Sequence, residues 1–275
     1  MLPSYLLSLR EGIEAALIVG ILLGAVRQIK RPELVSTVWL GALSAGIISI
    51  LTAVILTSLG LEMKDPGEAI FEGFTMLIAA GLLTWMIFWM SKQARSLKSS
   101  LEAEVHRASQ FGKRAIFFVA LIAVLREGIE LALFLTASAF VSTSLQTLIG
   151  AFLGLGTAIL LGWSIFASTV RLDLRRFFQI TGVMLVLFAA GLFAHGVHEF
   201  VEVGWLPALV EPVWDLSHVL SDSSLFGQLL AALFGYNPAP TLTELIAYVA
   251  YFVAIGLGLQ WSSLKSRKEA PQAVA

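Results

Sequence analysis

Apolar residues in this chain run in long unbroken stretches, without the two-residue alternation of a half-buried strand. Seven stretches reach the roughly 20 residues that a helix needs to cross the hydrocarbon core of a bilayer. They are Pro3–Arg27, Val35–Leu59, Ile70–Met90, Ala115–Phe140, Leu148–Val170, Phe177–His198 and Leu242–Trp261. Many contain glycine or other small residues, as close helix packing in lipid requires. The pattern predicts an all-α integral membrane protein with seven transmembrane helices. The membrane domain spans residues 1–265, and residues 266–275 are expected to form a disordered tail. The first stretch lacks a basic start and a small-residue cleavage site, so it reads as a permanent helix.

Charge adds a direction. Of the 18 Lys and Arg, 15 fall in the loops after the first, third and fifth stretches and in the tail. The alternate loops carry only Lys64, and Arg10 and Arg126 lie inside apolar stretches. Basic loops stay cytoplasmic, which predicts an outside N-terminus and a cytoplasmic C-terminus. The opposite face is acidic, with Glu62, Asp65, Glu68 and Glu72 near the second loop and Glu199, Glu202, Glu211, Asp215 and Asp222 after the sixth stretch. Such a mouth would concentrate cations; exclusion of basic residues would leave the same excess. The composition is 57% hydrophobic and 13% charged. A soluble domain would carry about 25% charged residues, so no separate soluble domain is expected. No nucleic-acid partner is expected either. With no cysteine in the chain, disulfides and thiolate metal sites are excluded, leaving oxygen or imidazole as metal ligands.

The charges that do enter the apolar stretches are organised. Arg10-Glu11-Gly12-Ile13-Glu14 recurs as Arg126-Glu127-Gly128-Ile129-Glu130. It lies within a longer match, Leu9–Leu17 against Leu125–Leu133. Leu40-Gly41-Ala42 matches Ile149-Gly150-Ala151, and Ala79-Ala80-Gly81-Leu82 recurs as Ala189-Ala190-Gly191-Leu192. The offsets are 116, 109 and 110 residues. Residues 1–92 and 113–200 thus read as two three-helix repeats, followed by an outer loop at 201–241 and a seventh helix at 242–262. An odd number of spans per repeat inverts the second copy, and inverted repeats commonly hold a transport site at the midplane between them.

A buried charge costs about 2.5–3.5 kcal/mol on insertion scales, and its usual meaning is a substrate or ion pathway. Residues three apart share a helix face, so Glu11 pairs with Glu14 and Glu127 with Glu130. Facing each other, the pairs would set four carboxylates around one point, with Gly12 and Gly128 letting the backbones approach. Oxygens of this kind suit a hard cation. Four glutamates and two arginines sum to a charge that one divalent ion would neutralise, and metal entry is expected to displace protons. Arg10 and Arg126 point off the carboxylate face, to anchor a neighbouring helix or to offset excess negative charge. The bland alternative, a buried ion pair that fixes helix register, explains the arginine and one glutamate but not the second glutamate or the repetition.

Other candidates are weaker. Glu68 and Glu72 open the third stretch, while Glu199 and Glu202 close the sixth beside His195 and His198. Glu68, Glu72, His198, Glu199 and Glu202 form a candidate capture site at the outer mouth; a solvated helix end would look the same. Asp215, His218 and Asp222 have helical spacing in an irregular loop. Met86 and Met90 read as packing, and Trp85, Trp89, Trp205 and Trp261 as interfacial belts. His198-Glu199 invites comparison with H-E-x-x-H, but the fifth position is Glu202, so the metalloprotease helix is incomplete and an enzyme is not expected.

The paired motifs, in the first and fourth of seven helices, resemble the oxidase-dependent iron permeases, comprising the EfeU-type bacterial permeases and the fungal high-affinity iron permease. Leu83-Thr84-Trp85-Met86-Ile87-Phe88-Trp89-Met90 and Ser224-Leu225-Phe226-Gly227, followed by Leu233-Phe234-Gly235-Tyr236, resemble the bacterial branch. The resemblance covers essentially the whole chain. It implies high-affinity iron uptake across the cytoplasmic membrane, with iron bound by Glu11, Glu14, Glu127 and Glu130 as substrate and no permanently bound cofactor. It also implies separate extracytoplasmic partners, peroxidase-like or cupredoxin-like, that handle iron redox chemistry. Hard ligands tolerate ferrous and ferric iron alike. From the residues alone, a permease for another divalent cation such as manganese, or a non-transporting membrane subunit, stays open.

Overall fold

The computed structural model describes residues 1–62, 66–93, 97–166, 174–220 and 224–268. Lys64, Asp65, Arg95, Arg171, Asp222 and residues 269–275 lie outside the described residues. So do the side chains of Glu62, Trp89, Met90, Lys92, Lys98, Arg175, Trp261, Lys265, Arg267 and Lys268. The described chain is all-helical. Its α-helices are α1 (Leu2–Gln28), α2 (Val35–Glu62), α3 (Gly67–Gln93), α4 (Leu97–Gln110), α5 (Lys113–Val141), α6 (Ser144–Phe166), α7 (Leu174–Glu202), α8 (Leu225–Phe234) and α9 (Leu242–Lys268). The seven predicted stretches fall on α1, α2, α3, α5, α6, α7 and α9. Among the described residues, Pro32–Leu59, Gly67–Phe88, Ser144–Ile165 and Arg176–Glu202 are long and apolar enough to cross a membrane, and Leu242–Gly258 is a shorter apolar helix. The protein is thus a multi-pass membrane protein. α1 and α5 are just as long, at 27 and 29 residues, but carry the charged motifs.

Prolines and glycines sit where helices begin or end. Pro3 opens α1, where its missing N–H interrupts no helical bond. Gly235 follows α8 with φ +67°, a left-handed conformation that glycine adopts without a Cβ clash. The same glycine lies against Gly191 of α7, where an added Cβ would come within 2.7 Å of the Gly235 Cα. α8 therefore needs glycine at both ends of that contact.

Two helices were not predicted. α4 lies in the basic third loop, and α8 lies in the loop at 201–241. α4 is amphipathic: Leu101, Val105 and Ala108 are buried with Leu22, Ala25 and Val26 of α1 and Ile116 and Ala120 of α5. It thus joins the C-terminal end of α1 to the N-terminal end of α5. In contrast, Asp215, His218 and their neighbours are not helical. Ser217 donates to Asp215 Oδ1 from its hydroxyl at 2.5 Å and its amide at 2.9 Å, closing a turn and holding that carboxyl below the usual range.

Packing exchanges partners between the two halves. α1 packs chiefly on α6, α2 on α5 and α3 on α7, and α1 also crosses α5. Ala79 and Ala80 of α3 and Ala189 and Ala190 of α7 are fully buried in one cluster, so the alanines of the repeated Ala-Ala-Gly-Leu segments lie in the core. Gly12 and Gly128 do not face each other, as the sequence had suggested. A Cβ at Gly12 would lie 2.6 Å from Ala158 Cβ on α6, and one at Gly128 would lie 2.7 Å from Ser49 Cβ on α2. Farther along the same contacts, Gly41 of α2 meets Ala120 of α5, and Gly150 of α6 meets Ser4 of α1. Gly128→Ala is expected to destabilise the protein by about 1–3 kcal/mol through overpacking. Ser49→Gly in the same chain should recover part of that loss, read as the thermal midpoint in detergent.

Candidate functional site

The two motifs meet in the core. Glu11, Glu14, Glu127 and Glu130 are each at most 8% exposed. Glu11, Glu14 and Glu127 each offer a carboxylate oxygen such that the three atoms lie within 4.8 Å of one another. Glu130 does not complete that group, so the close constellation holds three carboxylates instead of the expected four. Both oxygens of Glu11 and Oε2 of Glu127 are buried with no hydrogen-bond partner. Buried carboxylate oxygens of that kind are rare and call for a cation or a proton.

The arginines lie along their own helices. Arg10 Nε donates to Glu14 Oε1 at 3.1 Å, one helical turn on, as i,i+4 spacing allows. The side chain is 1% exposed, and its guanidinium carbon lies 6.0 Å from the centre of the Phe178 ring on α7. Arg126 Nε lies 3.3 Å from Glu127 Oε1 and 3.4 Å from Glu130 Oε1, but its side chain is 41% exposed. Repetition in sequence therefore does not give equal environments: α7 covers Arg10, and Arg126 is far less enclosed. Glu14, Glu127 and Glu130 carry the arginine contacts, while both oxygens of Glu11 lack a hydrogen-bond partner.

The candidate outer residues gather where α3 begins and α7 ends. The helices cross at Gly73 and Gly196, where a Cβ on Gly73 would lie 3.2 Å from Glu199 Cβ. Glu72 lies near enough to Glu199, Glu68 and Glu202 to feel the charge of each. Among the described residues, these acids form no three-ligand group as close as the one in the core. His198 is engaged on both ring nitrogens, with Nδ1 2.7 Å from Glu244 Oε1 and Nε2 3.3 Å from Glu202 Oε1. His195 Nδ1 donates to the Gly191 carbonyl at 3.0 Å.

Glu244 was missed from sequence. It sits at the start of α9 and accepts from the Thr241 amide at 3.2 Å, the Thr241 hydroxyl at 3.0 Å and Asn237 Nδ2 at 2.9 Å. The Glu244 amide donates back to Thr241 Oγ1 at 3.2 Å. This is a reciprocal helix cap, and its T-x-x-E signature precedes an apolar run in the sequence. The cap ties α9 to His198 of α7.

The profile of the "Iron permease FTR1 family" matches residues 1–268. A "Ferrous iron permease EfeU" of Escherichia coli O6:K15:H31 (strain 536 / UPEC) is 35% identical over 256 residues, covering 92% of this chain and 93% of that protein. The protein of the same name from Shigella sonnei (strain Ss046) matches to the same extent. That of Yersinia pestis is 34% identical over 92% of this chain and 91% of its own length. No solved structure matches the chain. A family match along nearly the whole chain, with both charged motifs inside it, identifies this protein as a member of the FTR1 iron permease family.

Proposed function

We propose that this chain carries iron inward across the cytoplasmic membrane, through a site formed by Glu11, Glu14 and Glu127 with Glu130 beside them. The observation that carries this reading is the buried triad of carboxylates, three oxygens within 4.8 Å of one another, in a member of an iron permease family. Charge favours a divalent ion: four glutamates against two arginines leave about two negative charges in a medium where net charge is costly. Relatives named ferrous iron permeases point the same way. The cluster lacks nitrogen and sulfur ligands, so manganese is the competitor to exclude.

Two further expectations belong to the same reading. The first is a seven-span architecture of two inverted repeats plus α9, with the N-terminus outside. It is supported by the exchanged packing: Gly12–Ala158 and Gly128–Ser49 are related by 116 residues on one side and 109 on the other, as are Ser4–Gly150 and Ala120–Gly41. These are the offsets of the sequence repeat. The asymmetry of Lys and Arg among the loops supports the orientation. The second is a separate extracytoplasmic partner, peroxidase-like or cupredoxin-like, for any redox step, with Glu68, Glu72, His198, Glu199 and Glu202 as a capture site at the mouth.

The test is flux. Purified chain in liposomes, under an imposed ferrous gradient, is expected to admit labelled ferrous iron, with manganese and zinc competing poorly. Equal or better manganese entry would overturn the substrate assignment. No iron entry, with or without an added redox partner, would overturn the transport reading.

A further inference from the structure

Among the described residues, the buried side-chain oxygens without a hydrogen-bond partner are Ser8 Oγ, both oxygens of Glu11 and Oε2 of Glu127. They belong to one short piece of α1 and to the facing motif of α5. The carboxylates are accounted for by the cation site. Ser8 is not, and nothing in the repeated motif contains it.

Ser8 is fully buried. It precedes Glu11 by three residues, which puts it on a shared face and roughly 4.5 Å nearer the N-terminal end of α1. Hydroxyls elsewhere in these helices bond back to a carbonyl four residues earlier: Ser49 to Ala45, Thr84 to Ala80, Thr136 to Ala132 and Thr181 to Phe177. Ser8 makes no such bond. One turn beyond it, Ser4 Oγ meets Ser138 Oγ of α5 at 3.2 Å, so buried hydroxyls continue away from the carboxylates on that side. On the other side the repeat supplies none. The residue 116 positions after Ser8 is Val124, and Ser4 corresponds to Ala120, which lies in the apolar cluster sealed by α4. Packing explains why residue 8 is small, since a Cβ on Gly154 of α6 would lie 2.8 Å from Ser8 Cβ. Alanine would satisfy that constraint; the oxygen needs another cause.

We propose that Ser8 is a ligand of the transported cation, adding a neutral hydroxyl oxygen to the carboxylates of Glu11 and Glu127 on the Ser4–Ser138 side of the cluster. The proposal rests on the reading of the carboxylates as the iron pathway. A hydroxyl raises the number of hard oxygen ligands without adding charge, which leaves the balance of glutamates and arginines suited to a divalent ion. It also makes the site one-sided: a cation arriving along the hydroxyl side would exchange water for oxygen ligands before it meets apolar walls.

The chain has no cysteine, so Ser8→Cys places a single thiol at this point. The full chain in liposomes is compared as parent, Ser8→Ala, Ser8→Cys and Glu11→Gln, with ferrous entry and its inhibition by cadmium as readouts. Ser8→Ala is expected to raise the KM for ferrous iron about tenfold, the lower end of what supporting groups around a metal contribute. Ser8→Cys is expected to make cadmium inhibit at about tenfold lower concentration than in the parent, because a soft ligand favours a soft ion. A packing role would not produce that change of selectivity. If Ser8→Ala fails to fold, the cadmium response of Ser8→Cys decides. Parental cadmium sensitivity in Ser8→Cys, in a parent that carries iron and a Glu11→Gln chain that does not, would overturn the Ser8 assignment alone. A Glu11→Gln chain that carries iron like the parent, or a parent that carries none, would overturn the pathway reading and this assignment with it.

Discussion

Glu11→Gln and Glu127→Gln should each reduce ferrous iron entry by more than about 100-fold, since even groups that only support a metal ligand contribute 10- to 100-fold. Glutamine keeps the shape of the side chain and removes its charge, so the loss would report on the cation and not on packing. Glu14→Gln should follow closely, because its carboxylate stands in the same triad. Glu130→Gln should have a smaller effect: Glu130 lies outside the triad and contacts Arg126. Equal losses at all four positions would show that the cation is held by a symmetric set, contrary to the arrangement described here. The measurement is initial ferrous entry into liposomes, normalised to protein that elutes as a single species.

The second large effect concerns folding. Arg10→Met should destabilise the protein by about 3–5 kcal/mol, the range for removing one partner of a buried ion pair. The loss arises because Glu14 is left buried without its guanidinium, and methionine replaces volume but not charge. The same change at Arg126 should cost less, because 41% of that side chain is exposed and exposed pairs contribute little. Comparing thermal midpoints of the two variants in one detergent checks the ordering. A larger loss at Arg126 would mean that the burial difference between the two motifs is not what governs their stability.

Much of this was legible in the chain, and the failures have identifiable causes. The long apolar runs located α1, α2, α3, α5, α6, α7 and α9, and the repeated pentapeptide marked where α1 and α5 carry their charges. Periodicity along one helix gives the face a residue occupies, but not which neighbour covers that face. That is why the sequence sets Gly12 against Gly128, whereas Gly12 admits α6 and Gly128 admits α2. The arginine contacts could have been read directly, since Arg10–Glu14 and Arg126–Glu130 have i,i+4 spacing. α4 was hidden by its charges, although Leu101, Val105 and Ala108 already mark a buried stripe. Ser8 carried no signal, because a serine that packs and a serine that binds have the same letter; only its missing partner separates them.

The exchanged packing also has a bearing on how the chain is made. α1 buries Arg10, Glu11 and Glu14 against helices from the other half, α5, α6 and α7. A ribosome adds about 5–20 residues per second, so α1 is complete on the order of ten seconds before α6 exists to receive it. Through that interval the Arg10–Glu14 pair can form within α1, but Glu11 has none of the helices that bury it. A half-protein ending after α3 would lack every helix against which Glu11 is buried.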